Sequence, residues 1–256
     1  MSPFVVIGQE RSGTTLVQML LNSHSALHCR GELFDPWQID DDGNKIQDVS
    51  LLRARDANPG AFVSAAMQGA DLSVPVKSGG ATWIAKLGRN KGPRLGFKFL
   101  TQHHPMVLKE ILPAHPDMPI LHVTRANKLA QFASLQQVHE TGRWTETRAS
   151  APVAPKLTLS PLWAVTQCNR LENGDFLLNQ FLDQLPNPVL RLPYASLRDA
   201  SRHTEMTAFL NVSDCTLTSP LKKQGQNRVL ERFENADEIA AHFTAIGREA
   251  WLGAET

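Results

Sequence analysis

The stretch "PFVVIGQERSGTTLVQMLLNS", from Pro3 to Ser23, constrains this chain more than any other. Its first part is short, apolar and β-branched without alternation, the pattern of a strand buried on both faces of a parallel sheet. Leu16, Met19, Leu20 and Ser23 then recur at helical spacing. A glycine- and hydroxyl-rich loop joins the two, so the chain opens on a strand–loop–helix unit. Such a loop lies beyond the carboxyl end of its strand, where open α/β sheets bind ligands.

The rest of the chain repeats the alternation. Arg94–Leu100, Pro119–Arg125 and Pro188–Tyr194 read as further strands, and Pro193 marks where the last leaves the sheet. Leu129, Phe132, Leu135 and Val138 predict a helix after Arg125, and Leu177, Leu178, Phe181 and Leu185 another before Pro188. Ile239, Phe243, Ile246 and Trp251 predict a last helix, capped by Asn235. Alternation of this kind means α/β with a central, mostly parallel sheet flanked by helices. Asp35–Lys45, Ser73–Thr82 and Thr145–Pro155 show no periodicity and are expected to be irregular, the last as either a mobile lid at 145–155 or a disordered insert. At 256 residues without internal repeats, a single domain over 1–256 is expected.

A net charge of +1 argues against a general nucleic-acid or membrane binder, so any anion site must be local. No apolar run is long enough to span a bilayer. Cys29, Cys168 and Cys215 lack metal-ligand spacing and suit reduced thiols in a cytoplasmic protein, with no leader ahead of the first strand.

Within the loop, Gly8 and Gly13 keep the spacing of G-x-x-x-x-G-K-[ST], but Thr14 stands at the lysine position and a cation enters instead as Arg11. Free backbone N–H groups at a helix N-terminus, with the hydroxyls of Ser12, Thr14 and Thr15, make an anion cradle. A tight turn capped by one threonine is the plainer alternative. A nucleoside triphosphatase needs the lysine and a strand-end metal aspartate. The later strands end in Thr124–Arg125 and Pro193–Tyr194. The loop therefore suits a donor of lower charge density, with an adenosine phosphate as leaving group and no metal.

"RSGTTL" after a hydrophobic strand resembles the 5′-phosphosulfate loop of the sulfotransferases that use 3′-phosphoadenosine-5′-phosphosulfate (PAPS), above all the bacterial glycolipid, nodulation-factor and carbohydrate enzymes. "VTRANKLAQFASLQQVHETGRW", from Val123 to Trp144, resembles their 3′-phosphate motif. "GFKFLTQHH", "LPYASLRD" with "FLNV", and "LKKQ…ENADEI" resemble later segments, with Asn211 where glycine usually follows Phe-Leu. The resemblance implies a P-loop-like three-layer fold and transfer of a sulfuryl group from PAPS to an acceptor hydroxyl by in-line displacement, leaving adenosine 3′,5′-bisphosphate. The acceptor it implies is a glycan, glycolipid or small-molecule alcohol. Arg11, Ser12, Gly13, Thr14 and Thr15 would hold the 5′-phosphosulfate, and Arg125, Ser134, Lys222 and Lys223 the 3′-phosphate.

Glu32 resembles the catalytic carboxylate of the glycolipid enzymes, and burial beside Leu33–Phe34 is expected to raise its pKa toward that of a useful base. A salt bridge to Arg30 is the structural alternative. His103 and His104, after a strand end, are rival bases, with His24 and His28 behind them. Lys98 is a secondary candidate inside its strand, and Trp144 is placed to border adenine or acceptor. Trp83, Trp163 and Trp251 suit the core. A small-molecule kinase on the same sheet and a non-catalytic nucleotide-binding protein are the competing readings.

Overall fold

The computed structural model describes residues 2–73, 93–145, 154–221, 226 and 228–255. Lys222, Lys223, Trp83 and most of the expected lid at 145–155 lie outside them.

The elements run β1 (Phe4–Gly8), α1 (Thr14–Asn22), β2 (Leu27–Arg30), β3 (Ile39–Asp41), β4 (Asn44–Ile46), α2 (Val49–Ala57) and α3 (Pro59–Met67). Next come β5 (Arg94–Leu100), a π-helical turn (Val107–Ile111) leading into α4 (Leu112–Ala114), β6 (Ile120–Thr124), α5 (Lys128–Thr141) and α6 (Pro161–Asp183). β7 (Val189–Pro193), α7 (Ala200–Phe209) and α8 (Ala236–Ala245) follow. Five strands form one parallel sheet in the order β2-β5-β1-β6-β7.

Both faces of the sheet are covered. Val5, Ile7, Phe97 and Phe99 point into one core with Phe34, Phe62, Leu112 and Leu182. Phe4, Val6, Leu121 and Val123 point into the other, against Leu16, Val17 and Leu20 of α1 and Met206 of α7. The fold is therefore the expected α/β type, a central parallel sheet between helical layers. β1 lies in the middle and is buried along its whole length, as its unbroken apolar run requires.

Several local expectations change. Asp35–Lys45 is not wholly irregular, because β3 and β4 pair as an antiparallel hairpin. Its two-residue turn places Asp42 at φ 54° and Gly43 at φ 82°, the left-handed geometry that an Asp-Gly pair favours. α8 ends at Ala245, so Trp251 sits in a separate 3₁₀ turn and Ile246 is exposed. Trp163 is 50% exposed on α6 and is not a core residue. Asn211 adopts φ 53°, a conformation asparagine tolerates better than most side chains, which accounts for asparagine where glycine is usual. The three cysteines are unpaired. Among the described residues no helix is long and apolar enough to cross a membrane.

Candidate active site

The chain from β1 into α1 forms the floor of a cleft of about 930 Å³. Its loop is held by two left-handed residues, Arg11 at φ 59° and Gly13 at φ 111°. Glycine is required at position 13 because a Cβ there would lie 2.7 Å from the Tyr194 ring. No side chain caps α1, and Thr14 and Thr15 instead line the cleft at the helix N-terminus. Ser12 differs from expectation. Its hydroxyl is fully buried without a hydrogen-bond partner, 2.7 Å from where a Cβ on Gly8 would stand, and Ser12 is not among the cleft-lining residues.

Arg125 follows β6, and Ser134 lies on α5, which packs back beside the strand end. The Arg125 guanidinium donates to the Arg11 carbonyl at 2.9 Å, and Arg11 Nε donates to Ser134 Oγ at 3.0 Å. The residues expected at the two phosphates thus meet in one place. Arg11 also donates to the Trp144 carbonyl at 2.7 Å, which puts that half-exposed tryptophan on the cleft rim. Burial, helped by the neighbouring charge of Arg125, lowers the Arg11 pKa to about 10, so it remains a cation at neutral pH. The Arg125 guanidinium stacks 4.5 Å from the ring centre of Tyr194, the only tyrosine in the sequence.

Behind this lattice lies a buried polar strut. Lys128 Nζ pairs with Asp175 of α6 and also donates to the Arg125 carbonyl, and Gln131 donates to the Glu10 carbonyl at 2.7 Å. The loop and the Arg125 backbone are therefore braced by the same two helices.

On the opposite wall, Phe97 and Phe99 point into one core, so Lys98 between them faces α1. Its ammonium sits 2.7 Å from Glu32 Oε1 and donates to Thr15 Oγ1 at 3.0 Å. His103 Nε2 lies 3.3 Å from Glu32 Oε2, while the Leu100 amide donates to its Nδ1 at 3.1 Å. With Nδ1 accepting, the neutral ring carries its proton on Nε2, aimed at Glu32. Arg30 does not pair with Glu32. It bonds Asp41 and the Ala66 and Ala70 carbonyls.

The expected rise in the Glu32 pKa is overturned. Burial does push the carboxyl up, but hydrogen bonds and charge from His103 and Lys98 outweigh it and hold the group at about 2. His104 is not brought into the site. It is absent from the cleft wall, accepts from the Met106 amide at 3.3 Å, and lies 3.9 Å from Asp56. His24 is likewise structural, accepting from the Ala26 amide at 3.0 Å, and His28 pairs with Asp42 at 2.6 Å.

Beyond Glu32 the cleft opens past Asp35, Trp37, Gln38 and Asp40, with Trp37 80% exposed. Buried Arg55 shapes this end by donating to the Leu33, Asp35 and Gln38 carbonyls. Ligand atoms of Glu32, Asp35 and His103 lie within 4.8 Å of one another, close enough for a metal ion. The Lys98 ammonium already on Glu32 works against a second cation there.

Lys98, a secondary candidate in the sequence, stands between Glu32 and Thr15, and nothing in the sequence pointed to Arg232, to Tyr194 as an arginine platform or to Asp175. The alternation of β5 was the one signal that could have aimed Lys98 at the loop.

Residues 3–198 match the family model described as "Sulfotransferase family". The chain belongs to the sulfotransferase family. Its chemistry is therefore sulfuryl transfer in general. Two solved sulfotransferases resemble the chain distantly. One, from Alicyclobacillus acidocaldarius, is 16% identical with a TM-score of 0.46, the match covering 98% of this chain and 99% of that one. The other, the sulfotransferase domain from the curacin biosynthetic pathway, is 18% identical with a TM-score of 0.47, covering 98% and 89%. No curated protein matches this sulfotransferase.

Proposed function

We propose that this protein transfers the sulfuryl group of PAPS to an acceptor hydroxyl. One observation carries the reading. Arg11, Thr14, Thr15, Lys98 and Arg125 converge on a single cleft at a helix N-terminus, with no lysine at the nucleoside-triphosphate position. Membership of a family that generally draws on PAPS supports the same donor.

In this reading the loop and Arg11 hold the 5′-phosphosulfate, and Arg125 and Ser134 hold the 3′-phosphate. Glu32 is the base. Both His103 nitrogens are engaged, Nδ1 by the Leu100 amide and Nε2 toward Glu32, so neither offers a lone pair to an acceptor. Glu32 takes the hydroxyl proton, the acceptor oxygen bonds to sulfur, and the bond from sulfur to the bridging oxygen breaks. The electron pair leaves on the 5′-phosphate of adenosine 3′,5′-bisphosphate, whose charge Arg11 and Lys98 stabilise.

A carboxylate held at about 2 is a weak base, and Lys98 resolves the difficulty. Its ammonium already touches Thr15 in the first turn of α1, so a sulfuryl group seated there draws it off Glu32. Glu32 then gains proton affinity when the donor is in place. The exposed Trp37 indole beside Asp35 and Asp40 suits stacking on a sugar ring with carboxylates for its hydroxyls, which favours a glycan-bearing acceptor.

Calorimetric titration tests the donor. Adenosine 3′,5′-bisphosphate is expected to bind without metal and more tightly than AMP or ADP. A preference for ATP with Mg²⁺ would refute the reading in favour of a kinase. Glu32→Gln with undiminished turnover would remove Glu32 from the base role.

A further inference from the structure

Beyond the residues that the family model matches lies a carboxylate in an unusual place. Glu255 is buried, with its side chain 5% exposed, and is bidentate on Arg125 through that residue's Nε and Nη2. Its second oxygen also lies 3.2 Å from Arg232 Nη2. Arg232 is itself 1% exposed and anchored on the Gln226 carbonyl at 2.7 Å and the Ala130 carbonyl at 3.0 Å. The segment carrying Glu255 is tied down too. The Val229 amide donates to the Gly253 carbonyl at 3.1 Å, and Ala254 bridges to Arg228.

We propose that Glu255, backed by Arg232, is a positioning residue that aims Arg125 at the 3′-phosphate of the donor. The inference rests on the PAPS reading above. Arg125 and Arg232 line the cleft and Glu255 does not, so the carboxylate stands behind the guanidinium. A guanidinium has five N–H donors. Glu255 takes two of Arg125's and the Arg11 carbonyl a third, which leaves one on each terminal nitrogen for a ligand. Tyr194 fixes the plane from its face. The carboxylate has a second task. Burial, and after it Arg125's charge, lowers the pKa of Arg11 and of Arg232, and Glu255 offsets the repulsion that would otherwise spread the three guanidinium groups apart. A flexible arginine must be ordered on binding, whereas this one is ordered beforehand.

The test is Glu255→Ala and Glu255→Gln, titrated with adenosine 3′,5′-bisphosphate and with AMP, which lacks the 3′-phosphate. Both variants are expected to lose about tenfold in affinity for the bisphosphate and to bind AMP as the parent does, with Glu255→Asp recovering part of the loss. Equal weakening toward both ligands would mean general loosening, and would overturn the assignment. Tighter bisphosphate binding would overturn it too, because the carboxylate would then be competing for the seat. Should the parent protein show no preference for bisphosphate over AMP, the donor reading falls first, and that result is separate from any effect of Glu255.

Discussion

Replacing Lys98 with methionine keeps an unbranched side chain one atom shorter and removes the charge that holds Glu32 ionised. The ammonium is 2.7 Å from the carboxylate, and an effective dielectric of ~20 puts their attraction at about 6 kcal/mol. Glu32 is 19% exposed, and screening by solvent reduces that figure. Taking half, about 3 kcal/mol, gives a rise of about two pKa units. The parent carboxyl stands at about 2, so in Lys98→Met it titrates at or above roughly pH 4, with burial pushing upward against His103 alone. The sign of the stability effect follows. A carboxyl depressed below its ordinary 4.5 stabilises the fold fully above that pH, by about 3 kcal/mol, and loses the contribution as pH falls toward 2. The variant gives up this acid-range increment. Carbon-13 NMR of labelled glutamate carboxyls reads the titration directly on ligand-free protein and needs no turnover. No Glu32 midpoint is expected above pH 4 in the parent, and one is expected there in Lys98→Met. If the variant's Glu32 remained ionised below roughly pH 3, Lys98 would not be what depresses it, and the proposed transfer of Lys98 from base to donor would fail with it.

Gly13→Ala forces a Cβ to 2.7 Å from the Tyr194 ring at φ 111°, and is expected to cost about 1–3 kcal/mol and to weaken bisphosphate binding by displacing the platform under Arg125. Thermal unfolding with a parallel titration checks both effects, and parent-like values in each would discount the contact. His122 is buried in β6 with neither ring nitrogen bonded, and burial lowers its pKa to about 4 against the opposing charge of Asp175. The fold therefore holds it neutral. Its penalty is absent above the ordinary 6.5 and grows to about 3 kcal/mol as pH falls from 6.5 to 4. Denaturant midpoints measured across that window are expected to decline less in His122→Leu than in the parent. An identical decline would assign the acid sensitivity elsewhere.

Periodicity alone carried the sheet. β5, β6 and β7 appear within a residue of their expected bounds, and β1, buried along its whole length, had to be apolar throughout, whereas β5 admits Lys98 and β7 alternates buried with exposed residues. β2 was missed because its four residues, Leu-His-Cys-Arg, alternate too briefly to signal anything. The β3–β4 hairpin was missed although Asp42–Gly43 advertised its turn.

The site divides along a different line. The loop's glycine spacing, its hydroxyls and the strand-end Arg125 are legible in sequence, since a strand, a turn and a helix start lie within one short stretch and their backbone chemistry is set locally. What each charged group does is not legible there. Arg11 meets Ser134 across 123 residues of sequence, and Arg125 meets Glu255 across 130. Burial alone argued for a raised Glu32 pKa, and the direction reversed once Lys98 and His103 were found on its two oxygens. Sequence determines which residues can carry charge and which segments run beneath them. Only the packing of one segment on another decides which charges share a buried space, and in low dielectric that neighbourhood governs proton affinity and orientation.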